Sequence, residues 1–490
     1  MKLQKRALVQ RATRRFGTES EDDYTFAPMP VVKLSSPLRE LANGSSEVQV
    51  EGSTVGEVIS RLERDFPRLA GWVLDERRQI RHHVVVFLNG ERAKEDVGVS
   101  SGDHLHVLPS ISGGAVETEL RPAPDALITD EDIEEAELLI GTRKGLFVLR
   151  GPRGGPMIEV ERKFSGQVVE YAVKDPRSET YFASVTHGQF GPRIYFSADP
   201  LGEWQQAEGP AFPEDADSAV ERVWVIEPGV EEGVLWAGVA PAALFKSEDG
   251  GRTWTLNRGL WDNPSRKEWQ PGAGGLCLHS ICTWPGDPSR LAIGISAAGV
   301  WLTDDGGETW RRGVKGLIPR YVPEDARENA MDLCVHKIRR EPLEPTTLYL
   351  QFHGGVYRSD DAGETWQDIG SEGGLPADFG FPMVIDPADP DRAFVIPLRG
   401  DFDRVTPDGR VRVFETRDRG ATWMPLTEGL PQDNAYLTVL RQAFTGDGKT
   451  PLGLYFGAES GEVFGSVDGG ATWFTVIDHL PPVVSVTCST

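Results

Sequence analysis

The octapeptide Ser466-Val467-Asp468-Gly469-Gly470-Ala471-Thr472-Trp473 decides the fold, because it is one of six related copies along the chain. The shared pattern is Ser/Thr-x-Asp-x-Gly-x-Thr-Trp, and the copies begin at residues 197, 247, 303, 359, 416 and 466. The first copy is degenerate, with Glu203 in place of Thr. Neighbouring copies therefore begin 50 to 57 residues apart. A repeat with a period in this range is typical of propellers and solenoids.

Each octapeptide predicts a tight turn between two β-strands. An Asp side chain accepts hydrogen bonds from nearby backbone N–H groups, and Gly adopts the positive φ that such turns need. The terminal Trp buries a large ring between neighbouring strands. The structural residues of the six turns are Asp199, Asp249, Asp305, Asp361, Asp418 and Asp468, with Trp204, Trp254, Trp310, Trp366, Trp423 and Trp473.

The octapeptides resemble the Asp boxes of the sialidase/BNR-repeat β-propellers. This resemblance implies either a glycan-binding or glycosidase fold, or turns that close hairpins without taking part in catalysis. A further strand pair, Glu137–Gly141 and Gly145–Leu149, precedes the first copy, and the unpaired strand Val483–Thr487 follows the last. We predict that this last strand completes the first blade and closes a ring of seven. Because catalytic sialidases have six blades, seven favours a relative without enzymatic activity.

Composition excludes several classes of protein. The net charge of −24 disfavours nucleic acid as a partner, because both would be acidic. No window approaches 18 apolar residues, so we expect no membrane span. The four cysteines have no metal-binding spacing and are too few for a disulfide framework, which favours a cytoplasmic location. We predict that the basic and acidic residues 1–28 form a disordered tail; a mitochondrial transit peptide is the alternative.

Residues 29–114 differ in character from the repeats and predict a small α+β domain. Strands are expected at 30–34, 48–50, 83–91 and 104–109. Residues 54–66 are expected to form a helix, because its apolar residues share one face and Thr54 or Ser53 can cap it. Two strands, a helix and two strands are the order of a β-grasp (ubiquitin-like) fold. The whole chain is therefore predicted to be mainly β, with a β-grasp domain followed by a seven-bladed propeller.

This domain resembles the ubiquitin-like sulfur carriers of the MoaD/ThiS family. The resemblance rests on Phe87-Leu88-Asn89-Gly90, Gly102-Asp103, Val107-Leu108-Pro109 and the diglycine Gly113-Gly114. It implies that an E1-like activating enzyme adenylates the C-terminal glycine, which is then converted to a thiocarboxylate. Two glycines suit this task because a chain without side chains can enter a narrow active site.

In this chain Gly114 is followed by Ala115 rather than by a C-terminus. A processing protease must cut the Gly114–Ala115 bond, or the carrier chemistry is lost and the domain serves for docking. Residues 115–135 form a predicted acidic linker, which would expose the bond to a protease. The propeller is predicted to span residues 136–490.

Polar residues on the loops at one mouth of the predicted propeller are the candidates for a site. A sialidase-like site would need an arginine cluster, a Tyr–Glu pair and an acidic Asp. The chain offers Arg143, Arg222, Arg399, Tyr436, Glu459 and Asp401 for these roles, but lacks the Phe-Arg-Ile-Pro motif of such enzymes. His279, His336 and His353 are candidate metal ligands with Asp332 or Asp401; otherwise they line the channel, and no cofactor is expected.

Three functions stay open from the sequence. The first is a sulfur carrier or protein modifier, with the propeller as a scaffold for a protein partner. The second is a sialidase-like glycoside hydrolase with an appended β-grasp domain, and the third is an interaction module alone.

Overall fold

A computed structural model describes residues 28–34, 38–42, 45–69, 73–74, 78–81, 84–109 and 134–489, except 156, 158, 215, 217, 328–329, 371 and 401. The chain divides into two compact units, Met1–Asp125 and Ala126–Thr490. The predicted tail, the diglycine Gly113-Gly114, nearly all of the predicted linker and Asp401 lie outside the described residues.

The described residues of the first unit form a five-stranded sheet. Its order is β2-β1-β5-β3-β4, with the central strands β1 and β5 parallel and the other neighbours antiparallel. This is the predicted β-grasp arrangement. The elements are β1 (Val31–Leu34), α1 (Leu38–Leu41), β2 (Glu47–Gln49), α2 (Val55–Asp65), β3 (Val84–Leu88), β4 (Glu91–Arg92) and β5 (His104–Pro109).

Helix α2 forms where the apolar pattern predicted it. The Thr54 side chain accepts a hydrogen bond from the Glu57 N–H, and the Glu57 carboxylate accepts one from the Ser53 N–H at 3.0 Å. These reciprocal bonds satisfy donors that every helix leaves free at its start. The apolar face is fully buried in the core of this unit and consists of Val55, Val58, Ile59 and Leu62.

The second unit contains seven four-stranded antiparallel sheets within the described residues. In six of them, four strands consecutive in sequence lie side by side. The strands of this unit are β6 (Glu135–Thr142), β7 (Gly145–Pro152), β8 (Glu159–Lys163), β9 (Val168–Asp175), β10 (Thr180–His187), β11 (Gly191–Ser197), β12 (Gln205–Gln206), β13 (Arg222–Pro228), β14 (Leu235–Ala240), β15 (Ala243–Ser247), β16 (Thr255–Leu256), β17 (Leu278–Trp284), β18 (Asp287–Ile295), β19 (Gly299–Thr303), β20 (Arg311–Arg312), β21 (Val335–Arg340), β22 (Leu348–Phe352), β23 (Gly355–Ser359), β24 (Gln367–Asp368), β25 (Gly380–Asp386), β26 (Asp389–Pro397), β27 (Val413–Thr416), β28 (Met424–Leu426), β29 (Phe444–Gly446), β30 (Leu454–Gly457), β31 (Val463–Ser466), β32 (Phe474–Ile477) and β33 (Val483–Ser489).

Helices are short and few among the described residues. Apart from α1 and α2, one α-helical turn, α3 (Arg258–Trp261), follows β16. Short 3₁₀ turns occupy Pro67–Leu69, Pro264–Glu268, Glu324–Ala326 and Pro407–Gly409. No described helix is long and apolar enough to cross a lipid bilayer.

The remaining sheet joins the two ends of the second unit. Strand β33 pairs antiparallel with β6, so that Val486 lies opposite Ile140, and the sheet order is β33-β6-β7-β8. This is the predicted pairing of the last strand with the first. Each sheet's first strand contacts the first strand of the next, in the order β9, β13, β17, β21, β25 and β29; β33 contacts both β29 and β9. The second unit is therefore a propeller-like assembly of sheets.

The octapeptides connect the third and fourth strands of their sheets. In the third copy, Thr303 Oγ1 and Thr309 Oγ1 both donate to the Asp305 carboxylate, at 2.7 and 2.5 Å. The Thr303 hydroxyl oxygen accepts a bond from the Gly307 N–H at 3.0 Å. The same Asp bonds occur in the copies of Asp249, Asp361, Asp418 and Asp468.

The sequence predicts that residues 436–440 form the first strand of the last repeat, and this prediction is wrong. The first strand of its sheet is β29, which begins at Phe444. Residues 435–440 alternate in burial, but the Ala435 N–H donates to the Gly409 carbonyl oxygen and the Leu437 carbonyl oxygen accepts from the Thr406 N–H, so these groups pair with a loop rather than with a strand. The alternation of apolar residues in this segment therefore reflects packing against a loop rather than a strand of the sheet.

Candidate functional site

A cavity of about 260 Å³ lies in the second unit, and we call it the mouth pocket. Its lining includes four arginines and two glutamates, so the charged side chains formally sum to 4 − 2 = +2. This is a positive site in a chain whose net charge is −24. The lining residues are Arg143, Glu170, Arg222, Trp224, Gly274, Arg404, Leu440, Arg441, Gln442, Glu459 and Val484.

Two ion pairs hold the carboxylates of the mouth pocket. Arg222 Nε lies 3.0 Å from Glu170 Oε1, and Arg143 Nη2 lies 2.9 Å from Glu459 Oε1. Arg222 also stacks over Trp224, with 4.9 Å between the guanidinium carbon and the ring centre. These contacts hold the side chains of Arg143 and Arg222 in place beside the flat ring of Trp224. Such an arrangement can bind an anionic or planar ligand.

Glu170 is the carboxyl of the pocket that is best placed to hold a proton. It lies on β9, is only 5% exposed, and its pKa is raised by burial. Arg222, the Thr186 hydroxyl and Arg143 oppose this rise. Burial raises the pKa of a carboxyl because it removes water from the charged form.

Arg441 supplies a further cation inside the pocket. Its side chain is 8% exposed, and its Nε has no hydrogen-bond partner in the described part of the chain. The guanidinium carbon lies 4.8 Å from the ring centre of Phe381 and 5.7 Å from that of Trp224. A buried guanidinium with an unpaired N–H is a donor available to a ligand.

The structure brings together only some of the predicted catalytic residues. Arg143, Arg222 and Glu459 line the mouth pocket, as a shared site requires. Arg399 and Tyr436 do not line it: Arg399 lies 3.7 Å from Asp408 in an exposed ion pair, and the Tyr436 side chain is exposed. Asp401 lies outside the described residues.

A second group of residues, the Cys–His–His cluster, consists of Cys334, His336 and His353. One ligand atom from each residue lies within 4.8 Å of those of the others. The imidazole rings of His336 and His353 are 5.4 Å apart, centre to centre. Two of the three predicted metal-ligating histidines are therefore neighbours, and a thiol lies beside them.

His279, the third predicted metal ligand, is not part of this cluster. Its Nε2 lies 2.9 Å from the Val335 carbonyl oxygen, and its Nδ1 lies 3.0 Å from Ser280 Oγ. Burial, with help from Arg441 and Lys337, lowers its pKa well below the usual value. Both ring nitrogens are thus engaged within the protein, and His279 stabilises the packing of β17 on β21.

Several site residues were not predicted from the sequence as candidates. Glu170, Trp224, Arg404 and Arg441 line the pocket without any motif to identify them. Cys334 did carry a signal, because Cys334-Val335-His336 places a thiol and an imidazole two residues apart. In extended chain, residues i and i+2 point to the same side.

Comparison with known proteins identifies the first unit. The model of the ThiS family matches residues 32–114. The chain is 33% identical over 84 residues to small archaeal modifier protein 1 of Haloferax volcanii, an alignment that covers 17% of this chain and 97% of the relative.

The second unit has relatives among enzymes that act on xyloglucan. The chain is 30% identical over 233 residues to a xyloglucanase of Hypocrea jecorina, which covers 42% of this chain and 25% of that enzyme. The chain thus spans about a quarter of that relative's length. A crystal structure of an ancestral GH74 enzyme is similar at 17% identity and a TM-score of 0.43, over 63% of this chain and 38% of the other.

The match to the ThiS family covers the five-stranded sheet of the first unit. Through its first unit, the chain belongs to the ThiS family of ubiquitin-like proteins.

Proposed function

We propose that this chain is the precursor of a ubiquitin-like sulfur carrier, and that cleavage of the Gly114–Ala115 bond exposes the Gly114 carboxylate. The observation that carries the proposal is that the ThiS family match ends at Gly114, the second residue of the diglycine. In the uncleaved chain the carbonyl of Gly114 is part of the peptide bond to Ala115. It therefore offers no free carboxylate that an activating enzyme could adenylate. Processing is therefore a requirement of carrier chemistry in this chain.

The proposed chemistry needs two enzymes as partners. A protease adds water across the Gly114–Ala115 bond. An E1-like activating enzyme then joins the carboxylate to AMP from ATP and releases pyrophosphate. Hydrosulfide then attacks the Gly114 acyl carbon and displaces AMP, which leaves a thiocarboxylate on Gly114.

The propeller-like region serves, in this proposal, as a scaffold that docks a partner protein. We propose that its seven described sheets are the blades of a closed, non-catalytic propeller completed by β33. The unbroken series of contacts between the first strands of the sheets supports this arrangement. The four cysteines, all free of disulfides, support a cytoplasmic location.

Processing is tested by expressing the chain with an epitope tag at its N-terminus in cells of its natural source. We expect a tagged fragment that ends at Gly114 beside the full-length chain. The matched control replaces Gly113 and Gly114 with Val, because branched side chains should block a protease that accepts a narrow diglycine. A wild-type chain that stays whole would contradict the proposal.

A second candidate function is glycoside hydrolysis at the mouth pocket. Two observations favour it: the 30% identity to a xyloglucanase and the presence of two glutamates in one cavity, one with a raised pKa. Glycoside hydrolysis commonly needs a pair of carboxyl groups, of which one holds a proton for the leaving group. Glu170 is the residue suited to that role.

Release of reducing sugar from xyloglucan tests this second function. If it is correct, Glu170→Gln should lower the rate by about 100-fold or more, because general acid catalysis contributes that much. Glu248→Gln is the control, since Glu248 is exposed and pairs with Lys246 at 2.7 Å, outside the pocket. No release of sugar by the wild-type chain would leave the scaffold role as the function of this region.

A further inference from the structure

We propose that Cys334, His336 and His353 bind one Zn²⁺ ion. This inference does not depend on the proposed function of either unit. Their ligand atoms lie within 4.8 Å of one another, at most about 1 to 1.5 Å farther apart than the ligand atoms of a tetrahedral zinc site. Zinc bonds of about 2.0–2.3 Å to nitrogen and sulfur would require only small side-chain movements to close the site.

The orientation of His336 prepares it to be a ligand. Its Nδ1 lies 2.6 Å from the Gly380 carbonyl oxygen, so Nδ1–H donates and the lone pair is on Nε2. The residue is 1% exposed, so the surrounding protein holds its ring in this orientation. A neutral imidazole held by a backbone carbonyl is the common form of a metal-binding histidine.

The position of Cys334 is fixed by Tyr321. The Cys334 N–H donates to the Tyr321 hydroxyl oxygen at 2.7 Å, and that hydroxyl donates to the Asp332 carbonyl oxygen at 3.1 Å. Tyr321 also packs edge-on against His353, with 4.8 Å between ring centres. One side chain thus supports two of the three proposed ligands, as the outer residues of metal sites do.

The walls of the site are aromatic. The Phe379 ring lies 5.1 Å from that of His336 and 5.1 Å from that of His353, and Phe381 lies 4.9 Å from His336. Cys334 and His353 are only partly buried, whereas His336 is fully buried. An ion can therefore reach the ligands from the side of Cys334 and His353, while the apolar rings shield its other side.

The bound ion itself must stabilise the Cys334 thiolate, because burial raises the pKa of the thiol and Arg441 opposes that rise only in part. The Arg441 guanidinium acts electrostatically on both Cys334 and His336, and it would repel a dication held by neutral ligands alone. A Cys334 thiolate contributes one negative charge and offsets that repulsion. Binding then breaks the S–H bond, and the proton leaves to solvent.

The ligand types select the ion. Thiolate and imidazole suit Zn²⁺ and Cu⁺, whereas Mg²⁺ and Ca²⁺ require oxygen ligands. Three protein ligands leave one tetrahedral position for water or another molecule, which is the arrangement of zinc sites that exchange ligands.

Metal titration of the full-length chain tests the proposal. The protein is prepared without a histidine tag, treated with a chelator, and titrated with Zn²⁺ and separately with Co²⁺ as a spectroscopic probe. We expect one equivalent of Zn²⁺ per chain and a near-ultraviolet thiolate-to-Co²⁺ absorption band. Cys334→Ser should remove the band, and His353→Gln should weaken Zn²⁺ binding by more than about tenfold.

Two control variants separate this site from its neighbours. Cys277→Ser and His279→Gln change another cysteine and another histidine of the same unit, and both should keep the band and the stoichiometry. Circular dichroism shows whether each variant is folded. If Cys334→Ser does not fold, the weaker Zn²⁺ binding expected of His353→Gln still tests the site, because His353 is only partly buried. Absence of Zn²⁺ binding by the wild-type chain, Cu⁺ binding alone, or a band that survives in Cys334→Ser would overturn the proposal.

Discussion

At the residue scale, the aspartates of the octapeptides act as hydrogen-bond acceptors within their own turns. Asp305 accepts from the hydroxyls of Thr303 and Thr309 and from the Thr309 N–H at 2.9 Å. Bonds of this kind favour the charged form of a carboxyl. The bonds from Thr309 are the main cause that lowers the pKa of Asp305 from 3.8 to about 2.

This shift predicts how acid destabilises the turn. A carboxyl whose pKa is lower in the folded state stabilises the protein above its unfolded pKa, and this stabilisation is lost as the pH falls through the folded value. Asp305→Asn should therefore cost stability near pH 5, and the cost should shrink as the pH falls from 3.8 towards about 2. Urea unfolding of both proteins across this range measures the difference.

Thr309→Val is the matched control for the acid prediction. It removes the hydroxyl that contributes most to the lowered pKa of Asp305. In the Thr309→Val protein, Asp305→Asn should lower the free energy of unfolding less at pH 5 than it does in the wild-type protein. This loss of stability should also vary less with pH. A cost of Asp305→Asn that is constant between pH 5 and pH 2 would show that the carboxylate charge has no role in the turn.

The tryptophans of the octapeptides should contribute more to stability than the aspartates. Trp310 is buried, and its Nε1–H donates to Asn257 Oδ1 at 3.0 Å and to the Gly307 carbonyl oxygen at 3.1 Å. Trp310→Ala should lower the free energy of unfolding by about 3–5 kcal/mol, because it leaves a cavity and unpaired polar groups. Chemical denaturation measures the change.

Trp204→Ala is the control for this prediction. Trp204 belongs to the degenerate first copy and is only partly buried, so its removal should cost clearly less than that of Trp310. If Trp204→Ala and Trp310→Ala lowered the free energy of unfolding equally, burial of the ring would not determine how much each tryptophan contributes to stability.

Sequence alone predicted these structural residues better than the residues of the mouth pocket. The Asp and Trp positions follow from a short repeated pattern whose chemistry is local. Glu170 and Arg441 are distant in sequence, and only the assembly of the sheets brings them to one cavity. Arg399 and Tyr436 do not line this cavity. Their positions depend on the conformation of loops, which no local sequence pattern specifies.

At the element scale, β33 determines whether the sheets of the second unit form a continuous series. It pairs with β6, and the Val486 N–H donates to the Gln442 carbonyl oxygen at 2.8 Å. Its residues Val483, Val484 and Val486 are buried. The strand therefore completes the first sheet and connects it to the residues before β29.

Removal of β33 should strongly destabilise the second unit. Truncation after Pro482 exposes three buried valines and the edge of β6, at a cost of roughly 5 kcal/mol or more. A synthetic peptide of residues 483–490 should restore stability in proportion to its concentration, because it binds only the folded state. Thermal unfolding with this peptide, and with one of scrambled sequence as control, measures the effect.

A truncated chain as stable as the full-length protein would contradict the structural role of β33. The pairing itself was predictable because an unmatched strand remained at each end of the repeats. The strand predicted at residues 436–440 was wrong, because alternation in burial does not reveal which backbone groups accept the hydrogen bonds.

At the scale of the whole molecule, a ThiS-family domain and a propeller-like region share one chain. The repeats predicted the propeller-like architecture of the larger part, whereas the motif on which the proposed function rests lies outside them, at Gly113-Gly114. The proposed function therefore depends on a single peptide bond between the two parts. Neither the sheets nor the mouth pocket can substitute for a free carboxylate on Gly114.

The intact mass of the protein isolated from its natural cells tests the central claim most directly. We predict a fragment that ends at Gly114, part of which carries sulfur in place of one carboxylate oxygen. Incubation with an E1-like activating enzyme, ATP and a sulfur donor should increase that part. Only full-length chains, with no species ending at Gly114, would contradict the account.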